Sequence, residues 1–120
     1  MNVRFLLVGC CACALTAMAC GGAAVPQDAL TAAQADVKGA EVGGAAENPQ
    51  AMLHLKLAKD QIDEAQKLIK DNDNEQAART LDRAQADAEL ALSLAKAAKA
   101  QGEASEASDQ VGQLKKQINK

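Results

Sequence analysis

The sequence predicts an all-α protein: an antiparallel helical hairpin with a coiled-coil-like, alanine-rich seam, closed by a shorter N-terminal helix into a three-helix bundle. Two apolar stripes predict the hairpin. Ala51, Leu55, Ala58, Ile62, Ala65 and Ile69 step 4-3-4-3-4, and Ala77, Leu81, Ala84, Ala88, Ala91 and Ala95 repeat the same rhythm. The stripes mirror each other around the turn at Asn72-Asp73, so the position numbers of every facing pair add to the same total. The layers are then Ile69 with Ala77, Ala65 with Leu81, Ile62 with Ala84, Ala58 with Ala88, Leu55 with Ala91, and Ala51 with Ala95. Most of them set a large residue against a small one, the interdigitation an antiparallel seam needs.

The elements follow in order. Residues 1–19 read as a removable secretory leader, with Arg4 in a short basic head, an apolar run from Phe5 to Met18, and small residues at Ala17 and Ala19. That run is shorter than the roughly 20 residues a spanning helix needs, and Gly21-Gly22 follows at once, so it predicts no permanent transmembrane anchor. Residues 20–26 read as a tether and residues 27–101 as the helical bundle. The first helix starts near Pro26 or Gln27 with Asp28 in its first turn, carries Leu30, Ala33, Val37 and Ala40 at 3-4-3 spacing, and stops at Gly43-Gly44. Asn48-Pro49 is a strong start for the second helix, since Asn caps and Pro suits the first helical position. Lys56/Asp60, Lys59/Asp63 and Asp63/Lys67 at i,i+4 mark its solvated face. Asp71-Asn72-Asp73-Asn74 is the turn, and Asp73 with Gln76 forms a capping-box pattern for the third helix. Met52, Leu53, Leu57, Leu90 and Leu94 cluster off the seam at the hairpin's open end, and the first helix is expected to cover them. Residues 102–120 form a C-terminal amphipathic extension in which Ala104, Ala107, Val111, Leu114 and Ile118 start a new phase after Gly102. It reads either as a tail or as a continued helix whose Val111, Leu114 and Ile118 form a partner surface.

Composition narrows the function classes. The chain has a formal charge of −3, and removing Arg4, the only charged residue before Cys20, takes the remainder to −4. Phe5 is its one aromatic and lies in the leader. Mild acidity without rings to stack on bases disfavours nucleic-acid binding. A thin alanine core leaves little room for the several hundred cubic ångströms of a small-molecule site. His54 is the only histidine, so no metal site assembles around it, and it reads as an ordinary helix-surface residue. Asp71, Asp73 and Glu75 resemble a calcium loop, but Gln76 stands where the turn requires Gly and Asp82 where the loop needs Glu. No phosphate-binding glycine loop and no walled acidic pair occurs. The expectation is a protein that is not an enzyme, with no cofactor, no metal and no small-molecule substrate.

All four cysteines, Cys10, Cys11, Cys13 and Cys20, lie in or at the end of the leader, so cleavage before Cys20 leaves one thiol at the new N-terminus. The Cys10-Cys11-Ala12-Cys13 cluster would be discarded with the leader. In this the sequence resembles a bacterial lipoprotein precursor, in which that cysteine is acylated and becomes the membrane anchor. Ala17 stands where that pattern usually has Leu, and Ala17-Met18-Ala19 also fits ordinary signal-peptidase cleavage. Cys10 follows the more typical letters Leu7-Val8-Gly9, but too few apolar residues precede it.

The run Pro49-Gln50-Ala51-Met52-Leu53-His54-Leu55-Lys56-Leu57-Ala58-Lys59-Asp60-Gln61-Ile62, followed by Ala65-Gln66-Lys67-Leu68-Ile69 and Arg83-Ala84-Gln85-Ala86-Asp87-Ala88-Glu89-Leu90-Ala91, resembles the bacterial envelope domain of unknown function numbered 4398. The resemblance covers roughly residues 25–105. It implies a small envelope lipoprotein and carries over no catalytic residue. A weaker resemblance is to the major outer-membrane (Braun) lipoproteins, with a lipidated cysteine at one end and a lysine joined to peptidoglycan at the other, positions that Cys20 and Lys120 occupy here. The hairpin turn and the Gly/Pro breaks depart from that uninterrupted helix. Together these imply a lipid-anchored, palmitate-type lipoprotein of the cell envelope, in the outer membrane and facing the periplasm. Its partners would be the membrane, through Cys20, and an envelope protein or peptidoglycan. Attachment to the wall through Lys120 and a soluble secreted binding protein are the alternatives.

Overall fold

The computed structural model describes residues 23–119; Cys20, Lys120 and residues 1–19, read above as a leader, lie outside them. Three α-helices follow one another, α1 (Gln27–Val42), α2 (Pro49–Lys70) and α3 (Asn74–Ile118), with a short 3-10 turn over Ala45–Glu47 between the first two. Among the described residues there is no strand. The three-helix bundle with its antiparallel α2–α3 hairpin is the predicted fold.

Local chemistry sets each boundary. Asn48 caps α2, its side-chain oxygen accepting from the backbone N–H groups of Gln50 and Ala51 at 3.0 Å, with Pro49 in the first turn. At the other end Asn72 takes a left-handed φ of 61°, the N–H of Asp73 reaches the Leu68 carbonyl at 2.9 Å, and that of Asn72 reaches Ile69 at 3.1 Å. This is a Schellman stop with Asn in the place Gly usually holds. One residue later Asp73 accepts from the Gln76 N–H at 3.3 Å and starts α3. Two residues therefore end one helix and begin the next. Gly44 has a φ of 86° and turns the chain out of α1, a backbone state that costs a residue with a Cβ.

The seam is buried as the spacing requires. Ala51, Leu55, Ala58, Ile62 and Ala65 of α2 and Ala77, Leu81, Ala84, Ala88, Ala91 and Ala95 of α3 are all buried, and Ile69 is half-buried at the turn. Alanine on α3 lets that backbone approach closely, so the leucines and isoleucines of α2 fill the gap. Helix α1 adds Ala33, Val37 and Ala40 to the same core, and Ala45 of the 3-10 turn is fully buried.

The position of α1 differs from expectation. It runs beside α3 from the turn end to the open end: the Asn74 side-chain amide donates to the Ala23 carbonyl at 2.7 Å, and that of Gln85 to the Ala29 carbonyl at 3.3 Å. At its end Gly43 packs against Leu92, so closely that a Cβ there would strike the leucine methyl, while Lys59 of α2 pairs with Glu41. Lys59, Gln85 and Leu92 each follow a seam residue by one position, so α1 lies on that flank of the hairpin. Leu57 and Leu90, on the opposite flank, consequently stay exposed and Leu94 is only half-covered; Met52 and Leu53 are exposed as well, a correction to the cover predicted for all five. The other flank carries the Asp87 carboxylate and the His54 and Gln61 side chains. Burying those polar groups beneath an alanine-rich helix would strip their hydration without offering new partners.

Helix α3 outlasts the bundle. Ala98 is the last residue partly covered by it, and from Lys99 to Asn119 every residue except Gly112 is exposed. The segment is a continuous helix, so of the two readings of residues 102–120 the structure has the projecting helix.

Candidate interaction surface

Two features outside the core carry side chains that could meet another molecule. The first is the uncovered flank of the hairpin. His54 and Gln61 precede the seam residues Leu55 and Ile62 by one position, and Asp87 likewise precedes Ala88, which brings the three together across the hairpin. His54 Nδ1 lies 2.8 Å from Asp87 Oδ1, and Gln61 Nε2 donates to Asp87 Oδ2 at 2.8 Å. A carboxylate only accepts, so Nδ1 carries the proton in this pair. The Gln61 Oε1 atom is buried without a partner. Leu57 and Leu90 step three residues on from His54 and Asp87 and border the cluster. His54 is therefore a half-buried, hydrogen-bonded residue that ties α2 to α3, not the ordinary surface position its isolation in the sequence suggests. The mirror relation of the seam sets Gln61 beside Asp87 at its flank, whereas His54, seven residues before Gln61 on the same flank, is brought to that carboxylate only in the structure.

The second feature is the projecting part of α3. Its residues 99–118 extend about 30 Å beyond the bundle. Val111, Leu114 and Ile118 are 50%, 57% and 83% exposed. They share one helical face, and the helix carries Lys115 and Lys116 in its last turn. The structure thus places the predicted partner-surface residues together, on one face of the helix and beyond the bundle.

Other arrangements offer less chemistry. An open cleft of about 450 Å³ sits at the bundle's end between the α1–α2 connection and α3, lined by Val42, Gly43, Gly44, Ala95 and Ala98, with Glu47 and Lys99 as its charged groups. This cleft lies outside the alanine-lined seam, where the α1–α2 connection meets α3. Among the described residues Glu41 is the group whose acidity is clearly moved: its carboxyl is held below the usual carboxylate range by the hydrogen bond from Lys59, then by that from Lys38. Among the described residues no cluster of His, Cys, Asp and Glu is arranged to hold a metal ion. None of their helices is long and apolar enough to cross a membrane.

A family model described as domain of unknown function (DUF4398) matches residues 28–107, two thirds of the chain. The chain belongs to this family. The matched segment takes in nearly all of α1, the hairpin and the first part of the α3 projection, and Val111, Leu114 and Ile118 lie beyond it. No curated protein and no solved structure matches the chain. Family membership names no activity and assigns no residue a role.

Proposed function

We propose that this DUF4398 chain is a non-enzymatic lipoprotein of the bacterial cell envelope, held in the outer membrane by acylated Cys20 and presenting its helical bundle to the periplasm as a structural or protein-interaction module. The observation that carries the reading is the projecting face of Val111, Leu114 and Ile118: an exposed apolar stripe on a helix, covered by no element among the described residues, marks a surface for another macromolecule. The anchor is argued from the apolar leader that ends in small residues immediately before Cys20.

Fold and anchor agree in direction. Ala23 is hydrogen-bonded to Asn74 beside the α2–α3 turn, so a chain tethered at Cys20 sits with its turn toward the membrane. The projection then points away from the lipid, and its tip is separated from the turn by the 45 residues of α3, about 68 Å of helix. A module of this shape holds a contact surface well clear of the headgroups.

Intact mass of the native protein, extracted from muramidase-treated envelopes, tests this reading. The expected species begins at Cys20 and carries added acyl mass. A chain that begins at Cys20 without any addition overturns the anchor and leaves a secreted helical protein. A muropeptide on Lys120 would replace the interaction module with a covalent wall tether.

A further inference from the structure

The projecting stripe begins earlier than the end of the bundle. Val111, Leu114 and Ile118 continue backward through Ala107, Ala104, Ala100 and Ala97 at unbroken 3-4 spacing, reach Ser93, and end at Leu90. Leu90 is 42% exposed, and Ser93, Ala97, Ala100, Ala104 and Ala107 are exposed as well. Helix α3 therefore carries two seams. The first, from Ala77 to Ala95, is filled by α2; the second lies on the opposite face of the same helix, runs for four heptads and is covered by no element among the described residues.

We propose that this second seam pairs antiparallel with the same seam of a second copy of the chain. The occupant is argued from self-complementarity. In the register that sets Ala104 opposite Ala107, Ala100 faces Val111, Ala97 faces Leu114 and Ser93 faces Ile118, with each pair repeated by symmetry. Every outer layer sets a large residue against a small one around a central alanine layer, the arrangement that most layers of the buried α2–α3 seam also have. Ile118 then enters the space between Leu90 and Ala97, which covers the most exposed apolar side chain of the projection. A parallel pair would instead set alanine on alanine through the middle and large on large at the end, leaving voids in one half and crowding in the other.

Charge along the edges supports the same register. Glu103 falls opposite Gln110, Lys96 opposite Gln117 and Leu94 opposite Lys115, so no like charges meet. Sliding the copies by one heptad, to bring Leu90 opposite Leu114, sets Glu103 against Glu103 and loses that neutrality. The pairing leaves the α2–α3 core untouched and holds whether or not Cys20 is acylated. It also puts the two turn ends at opposite ends of the pair, roughly 95 Å apart along the helix axes. Two paired copies anchored in one membrane would have to lie along it, so the upright arrangement described above belongs to the unpaired chain.

The test is a photo-crosslinking amino acid at position 114 of the full chain, produced in its native envelope and analysed by mass spectrometry of the adduct. The expected product has twice the chain mass, and its crosslinked peptide contains Ala97 of the other copy. A link between two peptides that both contain position 114 overturns the antiparallel register, and an adduct with a different protein, with lipid or with glycan overturns self-pairing altogether. Val111→Glu is the companion variant: loss of the crosslinked dimer with an unchanged bundle melting temperature is expected, and a dimer that persists in it counts against the seam.

Discussion

At the scale of single residues, the polar groups of this bundle decide more than their number suggests. Asp87 accepts from His54 and Gln61 at once, and its side chain is only 20% exposed. Asp87→Ala leaves the two donors facing each other without an acceptor, at an expected cost of about 1–2 kcal/mol. Urea unfolding measures it, and Asp87→Asn, which keeps one acceptor oxygen, should recover part of the loss. Glu41 gives a pH signature of definite sign. Its folded-state pKa is lowered by Lys59 and Lys38, so its stabilising contribution is present above the ordinary glutamate range and is lost as pH falls through that range toward the folded value. In Glu41→Gln, acid titration of stability followed by circular dichroism should lose part of its slope in that window, with little change at neutral pH because the pair is solvated. Both positions were opaque as isolated letters in the sequence. Asp87 becomes legible only through its relation to a partner 33 residues away, and Glu41 only after α1 has chosen a flank.

Among the elements, the seam and the projection respond to substitution in opposite ways. Ala58 and Ala88 face each other in a layer with no room, both fully buried. Ala58→Leu or Ala88→Leu should each lower stability by about 1–3 kcal/mol through overpacking, and unchanged melting temperatures in both would refute the register. On the projection, Gly102 and Gly112 have nothing within 4 Å of where a Cβ would stand, and they fall off the second seam. Replacing both with Ala should therefore raise helicity and stabilise the segment by about 1 kcal/mol per site, read by amide hydrogen exchange over residues 99–119. The boundaries of α1, α2 and the turn were legible because caps and stops act within four residues of chain. The burial of Ala45 in a 3-10 turn was not, because nothing in Gly43 to Glu47 distinguishes a flexible linker from one packed down onto the hairpin.

For the whole molecule, the bundle and the projection are mechanically separate although one helix serves both. Ending the chain after residue 101 should leave the bundle's melting temperature within a degree or two while abolishing self-association, as sedimentation velocity would show; a large loss of stability would mean that the projection folds back on the bundle. The sequence by itself determined the all-α class, the hairpin register, the turn and the extent of the first two helices. These depend on a repeat of 3-4 spacing and on local hydrogen-bond chemistry, both written along the chain. Tertiary structure alone decided which flank of the hairpin α1 covers, and with it the exposure of Leu57 and Leu90, the Lys59–Glu41 pair and the half-buried Asp87 cluster. The two flanks of an alanine-rich hairpin differ by only a few side chains. The choice between them rests on the close approach of Gly43 to Leu92 and on the hydration that Asp87 would lose under a third helix, balances that exist only once the helices are side by side.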